Sequence, residues 1–224
     1  MNNNRFHTID DFNKPVFFEN KLKMLDNKRH TAYLLTGQSD LSGWNEEWKD
    51  KVFSKMKENE NTQYIFLTKR PENIKSYKTK TFHKGLVYYE EEYPNILFAK
   101  DGEVYDFDGK SVLVIGGAYS VDKYYRLSRG YNWYESEQPN EETKNKVRDV
   151  LSTRNNKIDI ILSHTCPYKY LPREMFLAEI DQSTVDYTTE YFLDEIEDKT
   201  DYKLWYCGHY HTDKTIDKII FMFH

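Results

Sequence analysis

The chain has 224 residues, of which 38% are hydrophobic, 16% aromatic and 31% charged, with 32 Lys and Arg against 37 Asp and Glu. That mixture excludes a disordered polymer, and the formal net charge of −5 gives no global basic field for non-specific binding to a phosphate backbone. Two cysteines are too few for a disulfide framework, the apolar runs are of strand length and MNNNRFHTID has no apolar signal core, so a cytoplasmic protein without a membrane span is expected.

From Thr31 the apolar run TAYLLTG reads as a strand, and NEEWKDKVFSKMKEN sets Trp48, Val52, Phe53 and Met56 at helical spacing. TQYIFLTKRP is a second strand stopped by Pro71, and the three make a strand, helix, strand unit of a parallel sheet. The stretch from Phe82 to Pro94 is rich in Tyr and Glu and has no period, so it reads as a connection. It divides the chain into an N-terminal segment over 1–81, the connection over 82–94 and a C-terminal part over 95–224. There NILFAKDGEVYDFDGKSVLVIGG holds three short strand signals separated by Asp-Gly, a hairpin signal because glycine accepts positive φ, and an antiparallel meander is expected. NEETKNKVRDVLST reads as a helix capped by Asn140. KIDIILSH is a buried strand, TTEYFLDEIEDK an amphipathic helix, YKLWYCGHYH a strand and KIIFMFH a final strand. The resulting fold class is α/β.

Three stretches share one design: in LVIGGAYSVDK, IILSHTCP and WYCGHYHTDK an apolar run ends in Gly, Ser or Cys and a polar group follows. In α/β sheets ligands bind at the carboxyl ends of the strands, where loops converge over a rigid support. His164, His209 and His211 are therefore expected at one edge. Imidazole nitrogens suit Zn, Fe, Mn and Ni, and two histidines one residue apart on an irregular turn can face neighbouring ions. The plainer alternative, that each is a hydrogen-bonded residue of core or surface, stands beside it. Cys166 and Cys207 permit a further one, a closed Cys2His2 site with these histidines, or they are small buried fillers. His7, His30, His83 and His224 lack such a setting and read as surface residues. Lys69 and Arg70, at a strand end, read either as solvated loop residues or as positive charge for a phosphate.

FDGKSVLVIGGAYSVDKYYR, YNWYESEQPNEE, DIILSHTCP and WYCGHYHTDK, in that order, resemble the C-terminal half of calcineurin-like metallophosphoesterases over about residues 95 to 224. That resemblance implies a four-layer α/β sandwich in which two metal ions activate a hydroxide to attack a phosphate ester. It also implies that His164 and His209 bind one ion and His211 the other, while the loop carrying Tyr119, Asp122, Lys123 and Arg126 borders the substrate cleft. The family's first half carries Asp-x-His, Gly-Asp and Gly-Asn-His-Glu, and none of these strings occurs here. Asp40, in LTGQSDLSGWNEEW, is the carboxylate nearest the expected place. Instead KPVFFENKLKML, SDLSGWNEEWKDKVFSKM and TQYIFLTKRPENI, over about residues 12 to 77, resemble part of a phage-associated radical SAM-like family. That family's cluster needs Cys-x3-Cys-x2-Cys, and this chain has no cysteine before Cys166, so neither an iron-sulfur cluster nor SAM is expected.

The cofactor expected is a divalent metal ion, Mn, Fe, Zn or Ni, and the expected partner is a phosphate ester. The charge does not favour nucleic acid, no membrane contact is expected, and open strand edges leave room for a homo-oligomer. Two readings of function stay open: a metal-dependent phosphoesterase impaired by its missing ligand strings, and a non-catalytic interaction module or rearranged gene product.

Overall fold

The computed structural model describes residues 19–26, 32–35, 45–59, 62–66, 78–130 and 133–223. A 3-10 helix, Glu19–Asp26, is followed by strand β1 (Ala32–Leu35), helix α1 (Glu46–Lys57) and strand β2 (Gln63–Phe66). β1 and β2 pair in parallel, as a strand, helix, strand unit requires. Asn45 starts α1 by accepting a hydrogen bond from Trp48 N at 2.9 Å, and Glu46 and Glu47 lie in its first turn, where the helix dipole favours negative charge.

The stretch expected as a connection over 82–94 is instead sheet. β3 (Lys78–Phe82), β4 (Gly85–Glu90) and β5 (Tyr93–Ala99) pair antiparallel in succession, and β5 runs parallel to β2. The β3–β4 turn is built by His83 and Lys84 at φ 46° and 71°, two residues that carry no hairpin signal although a primed turn needs positive φ at both. β3 is an edge strand bearing Lys78 and Lys80, so it lacks the apolar alternation by which a strand is read. The first sheet has the order β1-β2-β5-β4-β3 and therefore draws strands from both sides of the expected seam.

The antiparallel meander is also corrected. β6 (Val104–Phe107) does not pair with β5; the chain crosses at Asp101–Gly102 into a second sheet. Only the later Asp-Gly is a hairpin: Asp108 and Gly109, at φ 52° and 76°, join β6 to β7 (Lys110–Ile115). α2 (Lys123–Ser128), α3 (Glu141–Thr153), β8 (Lys157–Ser163), α4 (Thr188–Lys199), β9 (Asp201–Cys207), β10 (Lys214–Ile216) and β11 (Ile219–Phe221) complete the order. β7, β8, β9 and β11 are parallel neighbours, with β6 and β10 antiparallel at the edges.

Side-chain alternation fixes the layers. On β5, Ile96 and Phe98 pack on Val52, Phe53 and Met56 of α1, while Leu97 and Ala99 face the second sheet. On β7, Val112 and Val114 meet them from the other side, and Leu113 and Ile115 turn to Val147 and Leu151 of α3 and Leu193 and Ile196 of α4. The protein is thus an α/β sandwich of helix, sheet, sheet and helices. Tyr105 pins the two sheets: its hydroxyl donates to Leu86 O at 2.6 Å and accepts from Lys100 N at 3.0 Å. Burial raises its pKa, so the hydroxyl stays a donor.

The outer helices are tied by Arg148 of α3, which donates to both carboxylate oxygens of Glu195 on α4 at 3.0 and 2.8 Å. That guanidinium, helped by Lys199, holds the Glu195 carboxyl down at about 2, against 4.5 in an unfolded chain. A depressed carboxylate stabilises the fold above its unfolded value and loses that contribution as pH falls from 4.5 through about 2. Both partners are partly solvated, so screening limits the pair, and Glu195→Gln is expected to lower stability by about 1 kcal/mol at neutral pH. Urea unfolding of the two proteins should converge as pH approaches 2; an equal gap across that range would assign the loss to something other than charge. Among the described residues, no helix is long and apolar enough to cross a membrane.

Candidate functional site

The loops that follow β7, β8 and β9 meet at the carboxyl ends of these parallel strands, where α/β sheets place their ligands. The β7 loop is shaped by two glycines. Gly116 N donates to Asp101 Oδ1 at 2.7 Å, and a Cβ on Gly116 would lie 2.6 Å from that oxygen. Gly117 has φ 90°, and its Cβ would lie 2.8 Å from Glu137 O. No side chain fits at either position, so the Gly-Gly of the motif is a packing requirement. Ala118 N then donates to Glu137 O at 3.0 Å, which presents Tyr119 to the cleft.

His164 directly follows β8, and its carbonyl accepts from Gly208 N at 3.0 Å, joining the two histidine-bearing strand ends. Beneath the site Trp205 Nε1 donates to Ser163 Oγ at 2.6 Å, and Ser163 Oγ donates to Thr165 O at 2.5 Å. After Cys207 the backbone folds into a turn closed by Tyr210 N and Gly208 O at 2.8 Å, with His209 at its centre at φ 68°. This is the γ-turn of positive φ, the rarer and more strained of the two forms. It sends Tyr210 inward, where its hydroxyl lies 3.0 Å from Thr165 Oγ1, and leaves the His209 ring facing His164. The two rings meet with His209 Nδ1 3.3 Å from His164 Nε2.

His211 is also in the left-handed region, at φ 51°, and lines the same cleft, but its ring stacks on Phe223 with centroids 5.2 Å apart. Among the described residues, no three His, Cys, Asp or Glu side chains converge as a metal-binding group. The structure therefore brings together His164 and His209 and sets His211 beside them. Asp40, Lys69, Arg70 and His224 lie outside the described residues. Cys166 and Cys207 are free thiols buried in the main core cluster, and burial pushes both well above the usual thiol range. They fill the core, and among the described residues no metal-binding group includes them.

Of the loop residues expected to border the substrate, Tyr119 reaches the cavity wall. Asp122 is buried, and its Oδ2 accepts from Arg126 Nε at 2.6 Å. Burial raises the Asp122 pKa against the opposing pull of Arg126. Lys123 Nζ sits 3.9 Å from the centroid of the Trp133 ring, a cation–π contact that packs α2 on the following loop.

Sequence reading missed the far wall. Between β8 and α4 the chain runs through short 3-10 turns, Tyr168–Tyr170, Arg173–Met175 and Gln182–Thr184, and supplies Met175, Phe176, Leu177, Ile180 and Val185. With Tyr119, His209 and His211 they enclose a cavity of about 110 Å³. The signal was present as apolar residues scattered through a loop of no period, which is unusual for solvated chain. Glu190 of α4 also lines this space; it is 3% exposed, and its Oε1 accepts from Thr165 Oγ1 at 2.8 Å.

No protein-family model and no curated protein matches this chain. The site therefore stands on its own geometry.

Proposed function

We propose that this chain is a metal-dependent phosphoesterase-like protein whose C-terminal part is related to the calcineurin-like sandwich, with His164 and His209 holding one divalent ion, Mn, Fe, Zn or Ni. One observation carries the reading: the 3.3 Å between His209 Nδ1 and His164 Nε2. Two imidazole nitrogens bound tetrahedrally at about 2.0–2.1 Å lie about 3.3–3.4 Å apart, so this separation, spanned by a hydrogen bond between the rings, is also compatible with one shared ion. Such an ion supplies a Lewis acid for a phosphoryl oxygen and lowers the pKa of its water. The chain's own contribution is to hold the two nitrogens on adjacent strand ends, next to a largely apolar cavity that His209 lines.

The second reading, a non-catalytic binding module, is favoured by the absence of Asp-x-His, Gly-Asp and Gly-Asn-His-Glu and of any third converging ligand among the described residues. Two-ion hydrolysis relies on carboxylates to hold and neutralise the ions. Titration of Mn2+ and Zn2+ into the purified chain, followed by an assay with bis(p-nitrophenyl) phosphate, separates the readings. Binding with hydrolysis, both lost in His164→Ala, is the expected result. Binding without hydrolysis supports the module, and no retained ion overturns the metal site.

A further inference from the structure

The cavity beside the histidine pair has a chemical character of its own. Its wall is formed largely by Val121, Phe176, Leu177, Ile180, Val185 and Phe223. Several of the polar groups that reach it are hydrogen-bonded within the protein. Gln182 Nε2 donates to Ile180 O at 3.2 Å, and Gln182 Oε1 accepts from Tyr187 OH at 2.7 Å. Thr165 Oγ1 bridges Glu190 Oε1 at 2.8 Å and Tyr210 OH at 3.0 Å. A ribose or a nucleobase placed here would exchange its hydrogen bonds with water for an apolar wall, a loss of the kind by which sites reject polar ligands. His209 and His211 line the same space, so a ligand held at His209 would lie next to this wall. The volume is about 110 Å³. An apolar cavity of about 150 Å³ takes benzene, so this one holds a branched group of about four carbons or the leading edge of an aryl ring.

We infer that this site selects phosphate esters, or other small phosphoryl anions, that carry a compact apolar substituent, and that the 3-10 segment between β8 and α4 is the specificity element. The inference rests on the phosphoesterase reading only for the anionic end of the ligand; the apolar preference belongs to the wall and is measured separately.

The test compares methylphosphonate with isobutylphosphonate by calorimetric titration of the full chain, with Mn2+ present and again in chelator. The isobutyl compound is expected to bind about tenfold or more tightly, because three further carbons leave water. Leu177→Asp and Ile180→Asp, both at half-buried loop positions, are expected to bring the two affinities together. Circular dichroism of both variants establishes that they are folded. In His164→Ala the affinity for both phosphonates falls but the preference persists. If the wild type binds no Mn2+, the metal reading fails, and the ratio in chelator still decides the wall. A ratio within about twofold of unity, no binding of the isobutyl compound up to its solubility limit, or a ratio unchanged in both folded Asp variants overturns the inference.

Discussion

Replacing Trp205 with alanine is expected to lower stability by about 3–5 kcal/mol, a large part of the 5–15 kcal/mol that holds a domain of this size together. Trp205 is 0% exposed and lies in the middle of the core cluster shared by β9, α3 and α4. Its ring meets Tyr202 edge-on at 5.5 Å between centroids, and its Nε1 donates to Ser163 Oγ at 2.6 Å. Truncation removes the apolar contact, leaves a void that a close-packed interior fills poorly, and takes a donor from a buried hydroxyl. Trp205→Phe keeps most of the volume and loses the N–H bond, so its deficit should be about 1–2 kcal/mol. Urea unfolding measures both; an alanine variant within about 1 kcal/mol of wild type would mean the core closes over the gap. The position matters for function because Trp205 sits four residues before His209, and its partner Ser163 directly precedes His164. One indole thus braces both strand ends that carry the candidate ligands.

Much of this arrangement is written in local pattern. α1, α3 and α4 carry apolar faces at helical spacing, and Asn140 caps α3 by accepting from Thr143 N at 2.9 Å, as its place before Glu141 and Glu142 suggests. β7, β8 and β9 are read from their apolar runs, and parallel pairing then sets their carboxyl ends side by side. What the pattern hides is equally physical. β3 and β4 escape the sequence pattern because an edge strand with Lys78 and Lys80 has no apolar period and its turn uses His83 and Lys84 where Asn-Gly is usual. The two Asp-Gly dipeptides look alike, yet only Asp108–Gly109 closes a hairpin. Asp101 instead spends its carboxylate on Gly116 N, a long-range bond invisible in the chain order. In the site, the approach of His164 and His209 follows from adjacent strands, whereas the stacking of His211 on Phe223 depends on a residue beyond β11.

The backbone at His209 allows the site to be separated from the fold. His209→Gly and His209→Ala remove the same imidazole and are both expected to weaken Mn2+ binding by about a hundredfold, since each leaves His164 as the remaining ligand of the pair. They differ in what the turn demands. At φ 68° alanine keeps the crowding of its Cβ against the backbone, and glycine does not. Glycine has room there as well, because the tight part of the loop is the neighbouring bond from Tyr210 N to Gly208 O at 2.8 Å, which it leaves intact. His209→Gly is therefore expected to be more stable than His209→Ala by about 1 kcal/mol, and at least as stable as the wild type. Paired measurements of unfolding midpoint and Mn2+ affinity check this. Equal stability of the two variants would show that the turn relaxes freely, and unchanged affinity would remove His209 from the ligand set. A strained residue is kept only where the surrounding structure over-determines it, and here Tyr210 is anchored inward by Thr165 while Gly208 is held to His164 O. Between those two anchors the chain reaches Tyr210 through the γ-turn, and that turn is what points His209 at His164.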